Sequence, residues 1–211
     1  FLKTGSEAVS ATIKISKAYT GKNHIAYCGY HGWHEHRNMH KFEYNNINSL
    51  LGIFNRYDIA CIILEPYIYK EPKDNFLQDV VILAHKYKAL VIFDEVVTGF
   101  RTPKFSAQAY FSVTPDLATF GKGIANGYPM ACLVGKKEYM QLLERKCFVS
   151  STFGGDLIGI TAALATIKYM QKHNVLEHIW DMGIHLTNWF DILGKELWLS
   201  NHNQGFPCRP Y

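Results

Sequence analysis

Two stretches decide the fold: IACIILEP at residues 59–66 and LVIFDE at residues 90–95. Each opens as a short, unbroken apolar run with no polar alternation, which reads as a strand buried on both faces. Between them Phe76, Val80, Ala84 and Tyr87 recur at helical spacing. Strand, amphipathic helix and strand in that order form a β-α-β crossover, and the crossover makes the sheet parallel. Both runs end in carboxylates, Glu65 in the first and Asp94 and Glu95 in the second. In an open parallel sheet that carboxyl edge is where ligands bind.

Toward the C-terminus, Leu117 to Phe120 gives another apolar run leading into Gly121, Lys122 and Gly123, and Met130 to Val134 gives a further short strand before Gly135. Helices are expected from Glu138 to Glu144, from Leu157 to Met170 and from Val175 to Leu199, whereas the last dozen residues show no pattern. In the other direction, His24 to Cys28 reads as a strand. Ahead of it, Ala8, Ala11, Ile15 and Ala18 mark a helix face between Glu7 and Tyr19, with Thr4, Gly5 and Ser6 supplying a turn and an N-cap. No repeat, low-complexity tract or Pro/Gly-rich linker advertises a domain boundary.

At 211 residues the chain is about 1.4 times a typical domain of roughly 150 residues. Apolar residues at 48% and charged residues at 19% exclude disordered, collagenous and coiled-coil classes. No apolar run reaches the roughly 18 residues of a membrane span. The net charge of +4 comes from scattered Lys and Arg, which reads as a solvated surface rather than a nucleic-acid footprint. Cys28, Cys61, Cys132, Cys147 and Cys208 follow no C-x-x-C or zinc-finger spacing and read as reduced thiols. With no charged-then-apolar leader in view, the expected location is cytoplasmic. The chain opens on Phe1 rather than Met, and it reads as a piece of something longer.

Four pieces could carry chemistry: TGSE at residues 4–7, YHG at 30–32, DEV at 94–96, and Lys122 between two glycines. A glycine-containing turn that opens a helix presents free N–H groups and a positive dipole end to a phosphate, although an ordinary N-cap looks the same. Asp94, at the end of a buried strand, needs a cationic partner, and a structural salt bridge would satisfy it. Lys122 is of the type that forms Schiff bases, and also of the type that sits on any surface. Taken together, a phosphate cradle, an aromatic plate, a carboxylate and a reactive lysine are what pyridoxal 5'-phosphate (PLP) requires.

On these residues the chain resembles the class III PLP-dependent aminotransferases, and most closely the branch that includes glutamate-1-semialdehyde 2,1-aminomutase. The stretches KTGSEAVSATIKISKAYTG, YCGYHGWH, IILEP, LVIFDEVVTGFR, FSVTPDLATFGKGIANGYPM and SSTFGGD carry the resemblance across most of residues 2–165, and Asp94 and Lys122 stand 28 positions apart. The resemblance implies the large domain of a fold-type I PLP enzyme, an α/β fold with a mostly parallel, predominantly seven-stranded sheet between helices, incomplete at both ends. It implies amino transfer between an amine or amino acid and a carbonyl compound through a Lys122 Schiff base, with Asp94 pairing to the pyridinium nitrogen. Gly5 and Ser6 would hold the phosphate, and Tyr30 and Val96 would flank the ring. Glu65 would stand on the substrate side, and Thr152 would reach the cofactor of a neighbouring subunit in a homodimer. Residues 1–165 would form the cofactor-binding domain, and residues 166–211 a helical segment leading toward a small domain that is mostly absent.

The sequence departs from that family in several places. The link from His36 to Phe42 is short, Ser106 and Ser112 stand where glycine is common, and Asp156 with Leu157 stands where Asn-Pro is common. The N-terminal arm and most of the small domain, which shape the substrate site, are not in this sequence. Three other chemistries fit less well. His31, His34, His36 and His40 cluster near Glu35 and Cys28, but H-E-x-x-H fails at Asn38, so no metal is expected; neither a P-loop nor a G-x-S-x-G elbow occurs. Two alternatives to the transaminase stay open: an intramolecular aminomutase, and a truncated relative that binds PLP or dimerises without turnover.

Overall fold

A computed structural model describes residues 1–198 and 203–210. Its central sheet has the order β2-β1-β3-β4-β5-β6, formed by His24–Cys28 (β1), Met39–Lys41 (β2), Ile59–Leu64 (β3), Leu90–Glu95 (β4), Leu117–Phe120 (β5) and Cys132–Gly135 (β6). Strands β1 to β5 run parallel and β6 closes the edge antiparallel to β5. The described residues therefore give six strands where seven were expected. Leu2 adds one isolated antiparallel bridge to Ala131, which is too little to count as a strand. The short link after His36 still contains a strand, because Met39 to Lys41 pair with Ile25 to Tyr27.

Helices cover both faces, as the two-sided burial of β3 and β4 demands. On one face Val9, Ile13 and Ile15 of α1 (Gly5–Thr20) pack on Ile25, Cys61, Ile63, Leu90, Ile92 and Leu117. On the other, α2 (Ile47–Phe54) and α3 (Phe76–Lys86) pack on Ala26, Ile62, Leu64, Val91 and Phe93. Alternate residues of β4 thus face opposite helix layers, and this parity carries past Phe93. Asp94 turns toward the α1 layer, and Glu95 turns away from it.

Glu95 is fully buried and accepts the backbone N–H groups of Ala107 and Gln108 at the start of α4 (Ala107–Phe111). Burial pushes its carboxyl above the ordinary range despite those donors. It anchors the loop that returns from β4, and so fixes Val96 and Arg101. Among the family departures, Ser106 lies at φ −142° and caps α4 with its hydroxyl. Ser112, at φ 56°, carries the left-handed conformation that glycine adopts at lower cost. Asp156 caps the next long helix by accepting from Ile158 N–H.

Beyond β6 come two short helical pieces, α5 (Lys137–Met140) and α6 (Leu142–Arg145), in place of one helix from 138 to 144. Helix α7 (Leu157–His173) packs on the turn at Lys122–Ala125, and α8 (Val175–Glu196) follows directly. The expected division at residue 165 falls inside α7, and Leu199 lies outside the described residues. The C-terminal stretch, patternless as sequence, forms a small hairpin of β7 (Gly205–Phe206) and β8 (Arg209–Pro210).

One buried carboxylate ties the sheet edge together. Asp116 accepts from Lys136 Nζ at 2.7 Å, His85 Nε2 at 2.9 Å and Val91 N–H at 2.9 Å. Burial alone would raise its carboxyl; these donors outweigh that and hold it below the ordinary value. A depressed folded pKa gives stability that is complete above the unfolded value, about 3.9, and is lost as pH falls through the lower folded one. Asp116→Asn is expected to cost about 1–3 kcal/mol at neutral pH, the scale of an unsatisfied buried group. It should also weaken the acid dependence of stability below about pH 4, both read by urea unfolding at pH 7 and pH 3.

Candidate active site

The parallel register gathers the four chemical pieces at one sheet edge. Cys28 lies opposite Leu64, Leu64 opposite Phe93, and Asp94 opposite Thr119. The residues that follow these strand ends therefore meet. A cavity of about 710 Å³ opens there, lined by Gly5, Ser6, Tyr30, Glu65, Asp94, Val96 and Lys122. Thr152 is exposed and lies outside the cavity lining of this chain.

The phosphate-loop expectation has a specific local form. Thr4 caps α1, its hydroxyl accepting Glu7 N–H, while the Glu7 carboxylate accepts the N–H groups of Lys3 and Thr4. This capping box uses the donors on either side and leaves the N–H groups of Gly5 and Ser6 without a partner among the described residues. Two free amide donors at a positive helix end could hold a phosphate. Close packing requires glycine at both neighbouring positions. A Cβ on Gly5 would come within 2.6 Å of Val96 Cγ1, and one on Gly32 within 2.5 Å of Ser6 Oγ.

Asp94 is 4% exposed and fully hydrogen-bonded. Its Oδ1 accepts from Thr119 Oγ1 at 3.1 Å and Val96 N–H at 3.2 Å; its Oδ2 stands 2.8 Å from His31 Nδ1. The other ring nitrogen, His31 Nε2, lies 2.9 Å from the Cys28 carbonyl. Both nitrogens thus face acceptors, which fixes the orientation of the ring. His31 is the buried partner of Asp94, and of the two it is Asp94 that lines the cavity.

Lys122 is exposed to the cavity and sits at φ 41° in the left-handed region, between Gly121 and Gly123. That conformation costs a non-glycine residue about 1–3 kcal/mol and collects at functional sites. Its ammonium has no partner among the described residues. Tyr30, 71% exposed, stands on the open side of the cavity, and Val96 packs against Gly5 and Gly121 on the other. The remaining histidines of the cluster are engaged elsewhere: His34 and His36 approach Ser10 Oγ at 2.7 and 3.4 Å, and His24 pairs with His40 at 2.8 Å.

Sequence reasoning missed three groups here. His31 stood inside a recognised motif, but its role depends on a backbone carbonyl and on a carboxylate 63 residues away. Arg101 lines the cavity, with its Nε buried and lacking a hydrogen-bond partner. Arg209, from the patternless C-terminal stretch, places Nη1 2.6 Å from Glu65 Oε2. The TGFR run was the available signal for Arg101; none existed for Arg209.

Comparison with known proteins agrees with this geometry. The aminotransferase class-III family matches residues 34–196. The chain is 39% identical to a 3-aminobutyryl-CoA aminotransferase of Cloacimonas acidaminovorans, covering all of this chain and 56% of that protein. It is 30% identical to a glutamate-1-semialdehyde 2,1-aminomutase of Archaeoglobus fulgidus, over 85% of this chain and 51% of that protein. Among solved structures, the PLP internal aldimine form of FumI from Sphingopyxis sp. MTA144 superposes with a TM-score of 0.90 at 24% identity, covering 99% of this chain and 56% of that one. An omega-transaminase from Sphaerobacter thermophilus superposes at 0.88 with 20% identity, over 98% of this chain and 57% of that one. The chain spans about half the length of these relatives. The fold is that of the PLP-dependent transaminases, and the chain belongs to the aminotransferase class-III family.

Proposed function

We propose that this chain forms the cofactor-binding part of a PLP-dependent aminotransferase that moves an amino group between an amine or amino acid and a carbonyl compound. The observation that carries the reading is the convergence of Gly5, Ser6, Tyr30, Glu65, Asp94, Val96 and Lys122 on one cavity from separate stretches of sequence. The donor set fits the cofactor. Free N–H groups at the α1 N-terminus suit its phosphate, the Asp94 carboxylate suits a protonated ring nitrogen, and Lys122 supplies a partnerless amine for its aldehyde. When bound, the cofactor supplies an electron sink for the bond broken at the substrate α-carbon.

The chain's own residues do the rest. Asp94, held by His31, Thr119 and Val96 N–H, would pair with a protonated ring nitrogen. Tyr30 and Val96 would flank the ring. Lys122 Nζ would hold the cofactor aldehyde and would take and return the proton of the substrate α-carbon. Glu65 borders the substrate side.

Thr152 reaches the neighbouring site of a homodimer in this proposal. Support comes from the exposed side chains beside it: Phe148, Phe153, Leu157 and Ile158 are 82%, 65%, 76% and 68% exposed. Residues 1–165 hold the cofactor and residues 166–211 lead toward the small domain. The five cysteines are all unpaired and buried, which favours a reducing, cytoplasmic setting. No helix among the described residues is long and apolar enough to cross a membrane. An aminomutase is the second reading, favoured by the relatives that carry that name; it would return the amine to a neighbouring carbon of the same molecule.

Adding PLP to the purified chain tests the proposal. A visible absorption band should appear, borohydride should fix it onto Lys122 as shown by peptide mass, and an amino donor should bleach it. Absence of the band would end the cofactor reading. A band that no donor bleaches would favour a binding or dimerisation relative.

A further inference from the structure

Two histidines that the cofactor site does not use meet at the edge of the sheet. In the β1–β2 pairing His40 stands opposite Ala26, and His24 lies two residues before Ala26, so both imidazoles rise from the same face. His24 Nδ1 faces His40 Nε2 at 2.8 Å. Tyr57, just after α2, covers the pair. Its ring stacks on His40 with centroids 3.7 Å apart and planes at 15°, and on His24 at 5.0 Å and 30°. Three rings thus hold one another in orientation before any ligand arrives. Neither histidine lines the cavity.

Two facing imidazole nitrogens at hydrogen-bond distance share one proton, so at least one of them offers a lone pair. Among the described residues no carboxylate pairs with either ring to hold it in the charged form. Nitrogens bound about 2.0 Å from one metal ion stand about 2.8 Å apart at a right angle and about 3.3 Å apart at the tetrahedral angle. The separation in this pair is therefore that of neighbouring corners of a square, the arrangement that Ni²⁺ and Cu²⁺ favour with nitrogen ligands. A tetrahedral ion such as Zn²⁺ would need the rings to part. No group of three or more His, Cys, Asp or Glu side chains able to hold a metal occurs among the described residues. Water must fill the other corners, and it can reach them because both rings are only half-buried.

We propose that His24 and His40 form a two-nitrogen site for a divalent ion of the Ni²⁺ or Cu²⁺ kind, and that the bound ion ties the edge strand β2 to β1. On binding, the ring that donated its proton across the pair carries it on its outer nitrogen instead. Both facing nitrogens then coordinate, and the neutral pair releases no proton. The tie falls where the sheet has least support, since β2 has three residues and, among the described residues, a single neighbouring strand. It also fixes the far end of the loop that leaves β1 after Cys28 and carries Tyr30 and His31.

Calorimetric titration of nickel chloride into the untagged chain, with and without PLP, tests the site. One Ni²⁺ per chain is expected. His24→Gln and His40→Gln should each weaken binding at least about tenfold, because a single ring loses the advantage of two linked ligands. His34→Gln and His36→Gln should leave it unchanged, and Zn²⁺ should bind more weakly than Ni²⁺. The melting temperature of the parent should rise by about 3–5 °C for each tenfold excess of Ni²⁺ over its Kd, and that of the His24 and His40 variants should not move. If His40→Gln loosens the edge strand, His24→Gln, on the inner strand, still decides. Unchanged Ni²⁺ affinity in His24→Gln, loss of binding in His34→Gln or His36→Gln instead, or tighter binding of Zn²⁺ than of Ni²⁺ would each overturn the assignment. The pair stands apart from the cavity, so a failure to load PLP would sink the aminotransferase reading and leave this result standing.

Discussion

Alanine in place of Lys122 is expected to slow amino transfer by about 10²–10⁴-fold from the lost proton transfer alone, and further by the loss of covalent attachment. The argument is one of elimination within the cavity. Lys3 is tied by its ammonium to Asp156 and to the Pro129 carbonyl. Arg101 and Arg209 stay protonated at any working pH. Among the basic side chains of the cavity, Lys122 alone combines an amine with freedom from partners among the described residues, which makes it the basic group placed to give and take a proton at the α-carbon. Lys122→Arg is expected to be as inactive as Lys122→Ala, which separates loss of a base from loss of a positive charge. Thermal stability should change little, since the residue is exposed, its ammonium has no hydrogen bond or ion pair among the described residues, and the strained φ of 41° stays in either variant. Turnover within tenfold of the parent in Lys122→Ala would refute the role.

How much of this could be read before the structure follows from where each signal lives. The strands β3 and β4 were legible because burial on both faces leaves only apolar residues in them. The edge that carries Glu65 and Asp94 was legible because parallel strands all end on one side. Parity along β4 separates Asp94, facing α1, from Glu95, capping α4, and period-two alternation makes that visible once the faces are known. Long-range partners were not legible. Arg209 meets Glu65 across 144 residues through a six-residue hairpin, Gly205 to Pro210, with no hydrophobic pattern of its own. His31 is held between two acceptors that only the packed loop brings together. Leu2 pairs with Ala131, just before β6, in a single isolated bridge that no sequence pattern announces. The helix expected from 138 to 144 breaks in two at Gln141, where the chain takes an extra turn rather than a straight course.

Asp94→Ala is expected to do two separable things. Catalysis should fall by at least about 10²–10³-fold, the scale seen when a preorganised electrostatic stabiliser is removed, and the loss should appear in kcat rather than KM, as expected of a group that acts in the transition state more than in substrate binding. Stability should fall by about 1–3 kcal/mol, because His31 Nδ1 and the Thr119 hydroxyl would be left buried without their acceptor; the His31 side chain is 3% exposed. Asp94→Asn tests the first effect more narrowly, since the amide keeps the volume and can still accept from Thr119 and Val96 N–H but cannot hold a proton on a ring nitrogen by charge. The second effect has its own control. Adding His31→Leu to Asp94→Ala removes the stranded polar ring, so the double variant should regain a large part of the lost stability while staying inactive. Urea unfolding of the four proteins closes that cycle. Additive destabilisation would mean that the two side chains do not depend on each other, and activity of Asp94→Asn within tenfold of the parent would mean that the carboxylate is structural only.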